Sequence, residues 1–498
     1  MSDHASLWMT DAPQIASDPF PADDRVHDLV VVGAGITGLT AATMFARRGL
    51  DVVVLEAREP GAVTTGHTTA KVTQLQGTML QRIRGRATAS TLAAHVESQS
   101  AAFEWLAGFA AVNGVPFERR DAITYAATAE GVAQVEAEHR LARAHGLPTE
   151  LIGDAGLPFP THGAVRLADQ GQIEPLQLVA ALARELRDAG GTLTGDARVT
   201  GVEAGRLAEF ATVRVGDRML RARRVVLATG HVILDRGLYF AKLAAKRSYA
   251  QAWRVDEDHL PTGMYLGVEQ PTRSVREARG LLLTGGNSHG VGRAASEQAQ
   301  ADDLAAWTRE NWPGAEPVAE WSAQDYLTPH GVPFVGWLPR GGGKVYLASG
   351  FSKWGMTNGV ATALTLVGDI LGDSAGWQRT LHRRVTLPAA FAVGLGENLA
   401  VARWYATSWA RALTHPVPER TLEGHGEVGR RGLVPTAVST VAGATNEVCA
   451  VCPHLGAVVQ WNDYERSWDC PAHGSRFAPD GTLLEGPATR GLRPAPTP

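Results

Sequence analysis

Val31-Val32-Gly33-Ala34-Gly35-Ile36-Thr37-Gly38-Leu39 is the stretch on which the reading of this chain turns. Ahead of it, Asp28 to Val32 reads as a short, continuously apolar strand, buried on both faces as parallel strands are. After the glycines comes an Ala-rich apolar stretch to about Arg48, with Gly49 where a helix C-cap glycine belongs. A second apolar strand, Asp51 to Leu55, ends at Glu56, 23 positions after Gly33. Strand, glycine turn, helix, strand and acid, in that order, form a dinucleotide-binding βαβ unit. Gly33 permits the tight turn, Gly35 lets backbone approach a pyrophosphate, and Gly38 lets helix and strand pack closely. The helix N-terminus offers free N–H groups to phosphates, and Glu56 is placed to accept hydrogen bonds from a ribose diol.

Two further segments carry the same kind of signal. Arg224 to Gly230 is a buried strand ending in a small-residue turn, Ala228-Thr229-Gly230. Val345 to Ala348 is another, followed by a Gly-rich turn from Ser349 to Thr357 and an apolar helix, Gly359 to Leu371. Glycines there let backbone touch a flat ring, and a helix end stabilises negative charge on it. Between these pieces the pattern differs. Residues 78–145 are mostly helical with a strand near 122–127, Glu174-Pro175 opens a helix, and 240–335 alternates short strands and loops with a helix at about 297–311. A helix at about 394–413 precedes a Pro/Gly/charge-rich linker, His415 to Arg431, and a tail, Arg493 to Pro498, expected to be disordered.

Together with Glu56-Ala57-Arg58 and Thr65-Gly66-His67-Thr68-Thr69-Ala70-Lys71, these motifs resemble the D-amino-acid oxidase/glycine oxidase-like FAD-dependent oxidoreductases over about 375 residues. The resemblance implies FAD, a substrate domain with a large mixed sheet, and redox chemistry, often at the C–N bond of an amine or amino acid. It implies flavin contacts from Gly33, Gly35, Ile36, Thr37, Gly38, Glu56, Ala57, Arg58, Thr68, Thr69, Ala70, Val199, Ala228, Thr229 and Gly230, and from Gly350, Phe351, Trp354, Gly355, Met356 and Thr357. His67, Lys71 and Lys353 are the catalytic candidates. A lysine near the ring would stabilise its anionic reduced form, and His67 could contact the ring or act as acid or base. His289, Arg293, Tyr326 and His330 are read first as surface or packing residues, although an arginine there could clamp a carboxylate.

The strongest local signal lies near the C-terminus: Cys452-Pro453-His454-Leu455-Gly456, then Cys470-Pro471-Ala472-His473-Gly474-Ser475, a C-x-H-x15-C-x2-H spacing. Two Cys-plus-His pairs on two loops suit a [2Fe–2S] centre in which cysteines hold one iron and histidines the other. A Cys2His2 zinc site accepts the same ligands but does not call for the Pro-x-His-Gly-Ser context. The segment resembles a Rieske domain. Ala457 and Ala472 stand where many Rieske domains have a disulfide. Phe477 stands where high-potential members have tyrosine, and loss of that hydroxyl donor implies a comparatively low potential. Cys449 is the leftover thiol, expected to be a buried apolar residue.

The expected fold is α/β with α+β character: a two-dinucleotide-binding FAD fold, an inserted mixed-sheet substrate domain, and a small all-β Rieske domain. The expected divisions are a leader at 1–26, an oxidoreductase region at 27–375, a helical connector and linker at 376–431, and the Rieske domain at 432–498. Within the second, the FAD-binding parts fall at about 27–75, 165–235 and 340–375, and the substrate domain at about 76–164 and 240–335.

In 498 residues, 44% hydrophobic side chains can fill more than one core. A net charge of −4 gives no electrostatic reason to expect nucleic acid, and Arg82, Arg84 and Arg86 read as a solvated helix face. The acidic leader, with Asp3, Asp11, Asp18, Asp23 and Asp24, does not form a signal peptide, and no apolar run is long enough to span a membrane. Three cysteines agree with a reducing compartment, with the cytoplasm as default. The function expected is a dehydrogenase acting on a small organic substrate and passing electrons singly, through the cluster, to or from an external carrier. A redox sensor or transfer module without its own substrate, and an oxygen-using oxidase, are the alternatives.

Overall fold

The computed structural model describes residues 4–22 and 24–495. Asp3 and Asp23 of the leader and residues 496–498 of the tail lie outside them. Strand Val26–Val32 is the axis of an eight-stranded sheet, parallel to Val52–Leu55 on one side and Arg218–Leu227 on the other. In this register Val32 lies beside both Leu55 and Leu227. Gly33, Glu56 and Ala228, the next residue of each strand, therefore emerge at one sheet edge. Val345–Ser349 extends the sheet, with Leu347 beside Leu227, and brings its glycine turn to the same edge. Ligands bind at such carboxyl ends. Helices Ile36–Ala46, Pro175–Asp188 and Gly355–Leu371 contribute to the largest apolar core around this sheet.

The inserted part is a nine-stranded mixed sheet, with helices Ala89–Asn113, Val132–Ala144 and Glu297–Asn311 placed near the expected spans. Its strands differ from the reading of 240–335 as short: Ala244–Arg254, Leu281–Gly290 and Glu316–Leu327 run 10–12 residues. They bury Arg247, Gln251, Thr284, Ser322 and Gln324, and those polar residues break the apolar alternation that marks a strand. Strands Lys71–Val72 and Gly163–Ile173 pair with each other in this second sheet, not in the sheet holding the glycine turn.

The C-terminal unit holds two small antiparallel sheets, one of three strands from Gly426 to Cys449 and one of four from Gln460 to Glu485. Three expectations need correction here. The preceding helix is Pro388–Thr414, longer than read, with proline in its first turn. The supposed linker ends in strand Gly426–Arg431, because every second residue there faces its neighbour strand. The tail is not loose through Pro494: Arg493 O accepts from Cys449 N at 2.8 Å and Pro494 bridges Val448.

The leader is anchored too. Trp8 is 1% exposed, donates Nε1–H to Thr68 O at 2.6 Å, and lies under the guanidinium groups of Arg276 and Arg279. Buried Leu7 and Ser6 and the ion pairs of Asp11 with Arg279 and Asp18 with Arg187 add to this anchor. Trp8→Ala is expected to lower stability by about 3–5 kcal/mol, measured by urea denaturation of the full chain.

Candidate functional site

The carboxyl edge of the first sheet opens on a cavity of about 640 Å³. Its cradle is made by glycines that could be nothing else. A Cβ on Gly33, at φ +105°, would lie 2.5 Å from Ala228 O, and one on Gly38 would lie 1.9 Å from Gly33 O. Glu56 accepts from Ala34 N at 2.8 Å and from Arg58 N at 2.9 Å, which fixes its carboxylate at the strand end. Thr37 is 3% exposed, lines the cavity, and its buried hydroxyl has no partner among the described residues. An orphaned hydroxyl beside a helix N-terminus fits a phosphate that would accept from it.

Of the flavin contacts expected from the sequence, all but four line this cavity, as do His67, Lys71 and Lys353. The four lie behind it. Gly38 packs under Gly33, and Gly350 faces Thr328, where a Cβ would meet Cγ2 at 2.4 Å. Ala70, at φ +53°, donates its N–H to Thr68 Oγ1 at 3.0 Å, and Thr357 Oγ1 accepts from Gln76 Nε2 at 2.9 Å.

Burial shapes the ionisable groups here. Burial, helped by Arg276, brings Lys71 down to about 7; its Nζ donates to Tyr265 O at 2.6 Å and Ser274 Oγ at 2.7 Å. Burial brings Lys353 down to about 8, with Asp325 opposing and Arg82 and Lys246 adding to the fall. Arg82, read as a solvated helix face, thus belongs to a cationic corner with Lys246 and Lys353. Burial also lowers His67, whose Nδ1 lies 2.7 Å from Val63 O. The neutral ring donates there and leaves Nε2 as an acceptor.

Tyr326 lines the cavity, while His289 pairs with Tyr249 at 3.0 Å and Glu297 at 2.8 Å. His330 is buried against Arg384, away from the cavity. Arg293 clamps no substrate; it donates to Pro471 O at 2.8 Å and pairs with Glu397 at 2.6 Å. Sequence reasoning missed Thr65, which receives Ile36 N at 3.2 Å, and the loop Leu484–Thr489, whose residues line the same cavity. From sequence, Gly486-Pro487-Ala488 in that loop reads only as Rieske context; its place on the cavity wall is set by docking.

The second site lies at the tips of two turns. Gly456 N donates to Cys452 O and Gly474 N to Cys470 O, both at 3.0 Å, each glycine at positive φ. Cys452 and Cys470 are buried and face each other: a hydrogen bond between the thiols, then burial, drives Cys452 up. The His454 and His473 rings sit 5.0 Å apart and nearly perpendicular, and the Nδ1 atom of each is buried with no hydrogen-bond partner among the described residues. Two sulfurs on one side and two orphaned imidazole nitrogens on the other fit a two-iron centre. Among the described residues, no three His, Cys, Asp or Glu side chains converge on one point able to hold a single ion. Ser475 is fully buried and hydrogen-bonds the Cys452 sulfur. Phe477 is buried, and Cys449 is half-buried, not fully covered as expected.

The sequence model of the family described as DAO, FAD dependent oxidoreductase, matches residues 28–368. The chain belongs to this family. A model described as Rieske [2Fe-2S] domain matches residues 422–496 of this FAD-dependent oxidoreductase. A Bacillus subtilis (strain 168) protein named for a Rieske 2Fe-2S iron-sulfur protein, YhfW, is 29% identical over 98% of this chain and 97% of its own. The cytochrome b6-f complex iron-sulfur subunit of Synechococcus sp. (strain JA-3-3Ab) is 37% identical over 100 residues, 20% of this chain and 51% of the subunit. The fold is shared with L-proline dehydrogenase from P. horikoshii (TM-score 0.62, 16% identity, 74% of this chain and 98% of that one). It is shared also with glycine oxidase from Geobacillus kaustophilus (TM-score 0.59, 18% identity, 70% and 96%).

This oxidoreductase thus binds FAD and a Rieske [2Fe–2S] cluster. No helix among the described residues is long and apolar enough to cross a membrane. Cys470→Ala is expected to yield protein with its flavin absorption intact and iron and sulfide lost, read by metal analysis and absorption spectroscopy.

Proposed function

We propose that the protein is a dehydrogenase of a small organic substrate carrying an anionic group, an amino acid or related amine. Electrons would pass singly between the flavin site and the cluster, and from there to or from an external carrier in the cytoplasm. One observation carries this reading: the cradle Gly33–Thr37 and the Rieske loop Leu484–Thr489 line one cavity. Bound FAD supplies two-electron chemistry at carbon, and a Rieske cluster supplies one-electron exchange. The names of the fold relatives, glycine oxidase and L-proline dehydrogenase, support an amine substrate.

The chain's own residues would prepare such a substrate. Arg82, Lys246 and Lys353 offer a partly desolvated cationic corner to a carboxylate, with Asp325 the counter-charge near Lys353 and Glu397 that of Lys246 at 4.0 Å. Oxidation at a C–N bond needs the nitrogen lone pair, so an ammonium substrate must first lose a proton. Lys71, held at about 7, and the neutral His67 imidazole are placed on the cavity wall to take it.

Anaerobic addition of the true substrate is expected to bleach the flavin and then raise a rhombic Rieske EPR signal. Bleaching with no such signal, and rapid reoxidation by oxygen with peroxide release, would favour the oxidase reading instead. Binding of a simple carboxylate should weaken as pH rises through 8, where Lys353 loses its charge. Lys353→Met should weaken it about tenfold at pH 7 and flatten that limb, measured by flavin difference titration.

A further inference from the structure

The cluster's histidine edge does not face open solvent. Phe240, from the oxidoreductase region, sets its ring edge-to-face against both His454 and His473, at 5.9 and 5.4 Å. Beside it, Asp235 Oδ1 lies 3.0 Å from His454 Nε2, and the His454 side chain is only 6% exposed. The backbone presenting Asp235 is held on both flanks. Ile233 lines the flavin cavity, and a Cβ on Gly486 of the Rieske loop would reach its Cγ2 at 3.5 Å. Arg236 donates to Val202 O and to Arg340 O, each at 3.2 Å.

We infer that Asp235 is a positioning residue for the cluster: it fixes the ligand imidazole of His454 from outside and lowers the cluster's reduction potential. The His454 ring has two nitrogens with separate tasks. If Nε2 carries the proton and shares it with the carboxylate in a hydrogen bond, Nδ1 keeps its lone pair, and Nδ1 is the buried nitrogen with no partner among the described residues. The carboxylate makes that imidazole a stronger electron donor and adds a negative charge near the iron it holds. Reduction adds another negative charge at the same place, so the reduced form is disfavoured. The effect has the same sign as that of Phe477 in place of a hydroxyl donor. Phe240 packs against both imidazoles, while the Asp235 side chain is 53% exposed and its bond to His454 is open to water. The inference needs the cluster alone; it does not depend on which way electrons flow or on the substrate.

The test is an EPR-monitored redox titration of the full-length, cluster-loaded protein and of Asp235→Asn, Asp235→Leu and Asp235→Glu. Asp235→Asn keeps the size and an acceptor but removes the charge, and should shift the reduction equilibrium towards the reduced form by about tenfold, or about 59 mV for one electron. Asp235→Leu should shift it at least as far, and Asp235→Glu should move it back towards the unsubstituted protein, all with unchanged flavin content. Loss of iron from the Asn or Leu variant alone, with the Glu variant loaded, also supports a positioning role. Asn and Leu variants that titrate at the unsubstituted potential, or lower, overturn the inference. So does loss of both cofactors in all three variants, which would make Asp235 a folding residue.

Discussion

Arg247 and Asp469 meet 3.2 Å apart at a place that water does not reach, their side chains 1% and 0% exposed. Arg247 comes from the inserted sheet, and Asp469 immediately precedes the cluster ligand Cys470. Around them Arg476, Glu465 and Glu485 extend the ion pairs, and Ser322, Asn462 and Ser467 add hydrogen bonds to Arg247 or Asp469. Burial opposes ionisation of Asp469, yet Arg247 and Arg476 hold it below the usual carboxylate range. Such a network says little about net stability, because taking charges out of water costs several kcal/mol each. Its force is geometric. Any other seating of the C-terminal unit would strand a charge in a medium of low dielectric. The covered histidine edge and the cavity wall at Leu484–Thr489 follow from this one seating.

Close packing reinforces the same seating. Gly292 in the oxidoreductase region comes so near the cluster loop that a Cβ would lie 2.9 Å from Asp469 O. Gly474 does the same in reverse, its absent Cβ falling 2.5 Å from Ala245 Cβ. Gln324 Nε2 then donates to Gly474 O at 2.8 Å. The two units therefore meet backbone to backbone, and the pockets are built by both.

What could be read from sequence was what is local. The Gly33–Gly38 turn, its flanking strands and Glu56 are contiguous, and their chemistry is forced by backbone geometry. The two Cys-His pairs of the C-terminal unit were legible for the same reason: each loop carries its own. The long strands of the second sheet were obscured by Arg247, Gln251 and Gln324, inward-facing polar residues that make sense only once their distant partners are known. Arg82 looked like a solvated helix face because its neighbours Lys246 and Lys353 lie far along the chain. Trp8 and the end of the tail gave no periodic pattern at all; scattered contacts hold them. Leu484–Thr489 belonged, on sequence, to one site and turns out to wall another.

That last loop gives the protein a history as well as a shape. Synthesis runs from the N-terminus, so the region matched to the flavin family is complete on the order of ten seconds before Leu484 is made. During that interval the nucleotide meets an open trough. Once the C-terminal unit has seated, the trough lies behind a domain held by buried ions. Parting of the two units would then open one wall of the flavin site, a route to cofactor loss beside the loosening of the nucleotide contacts themselves.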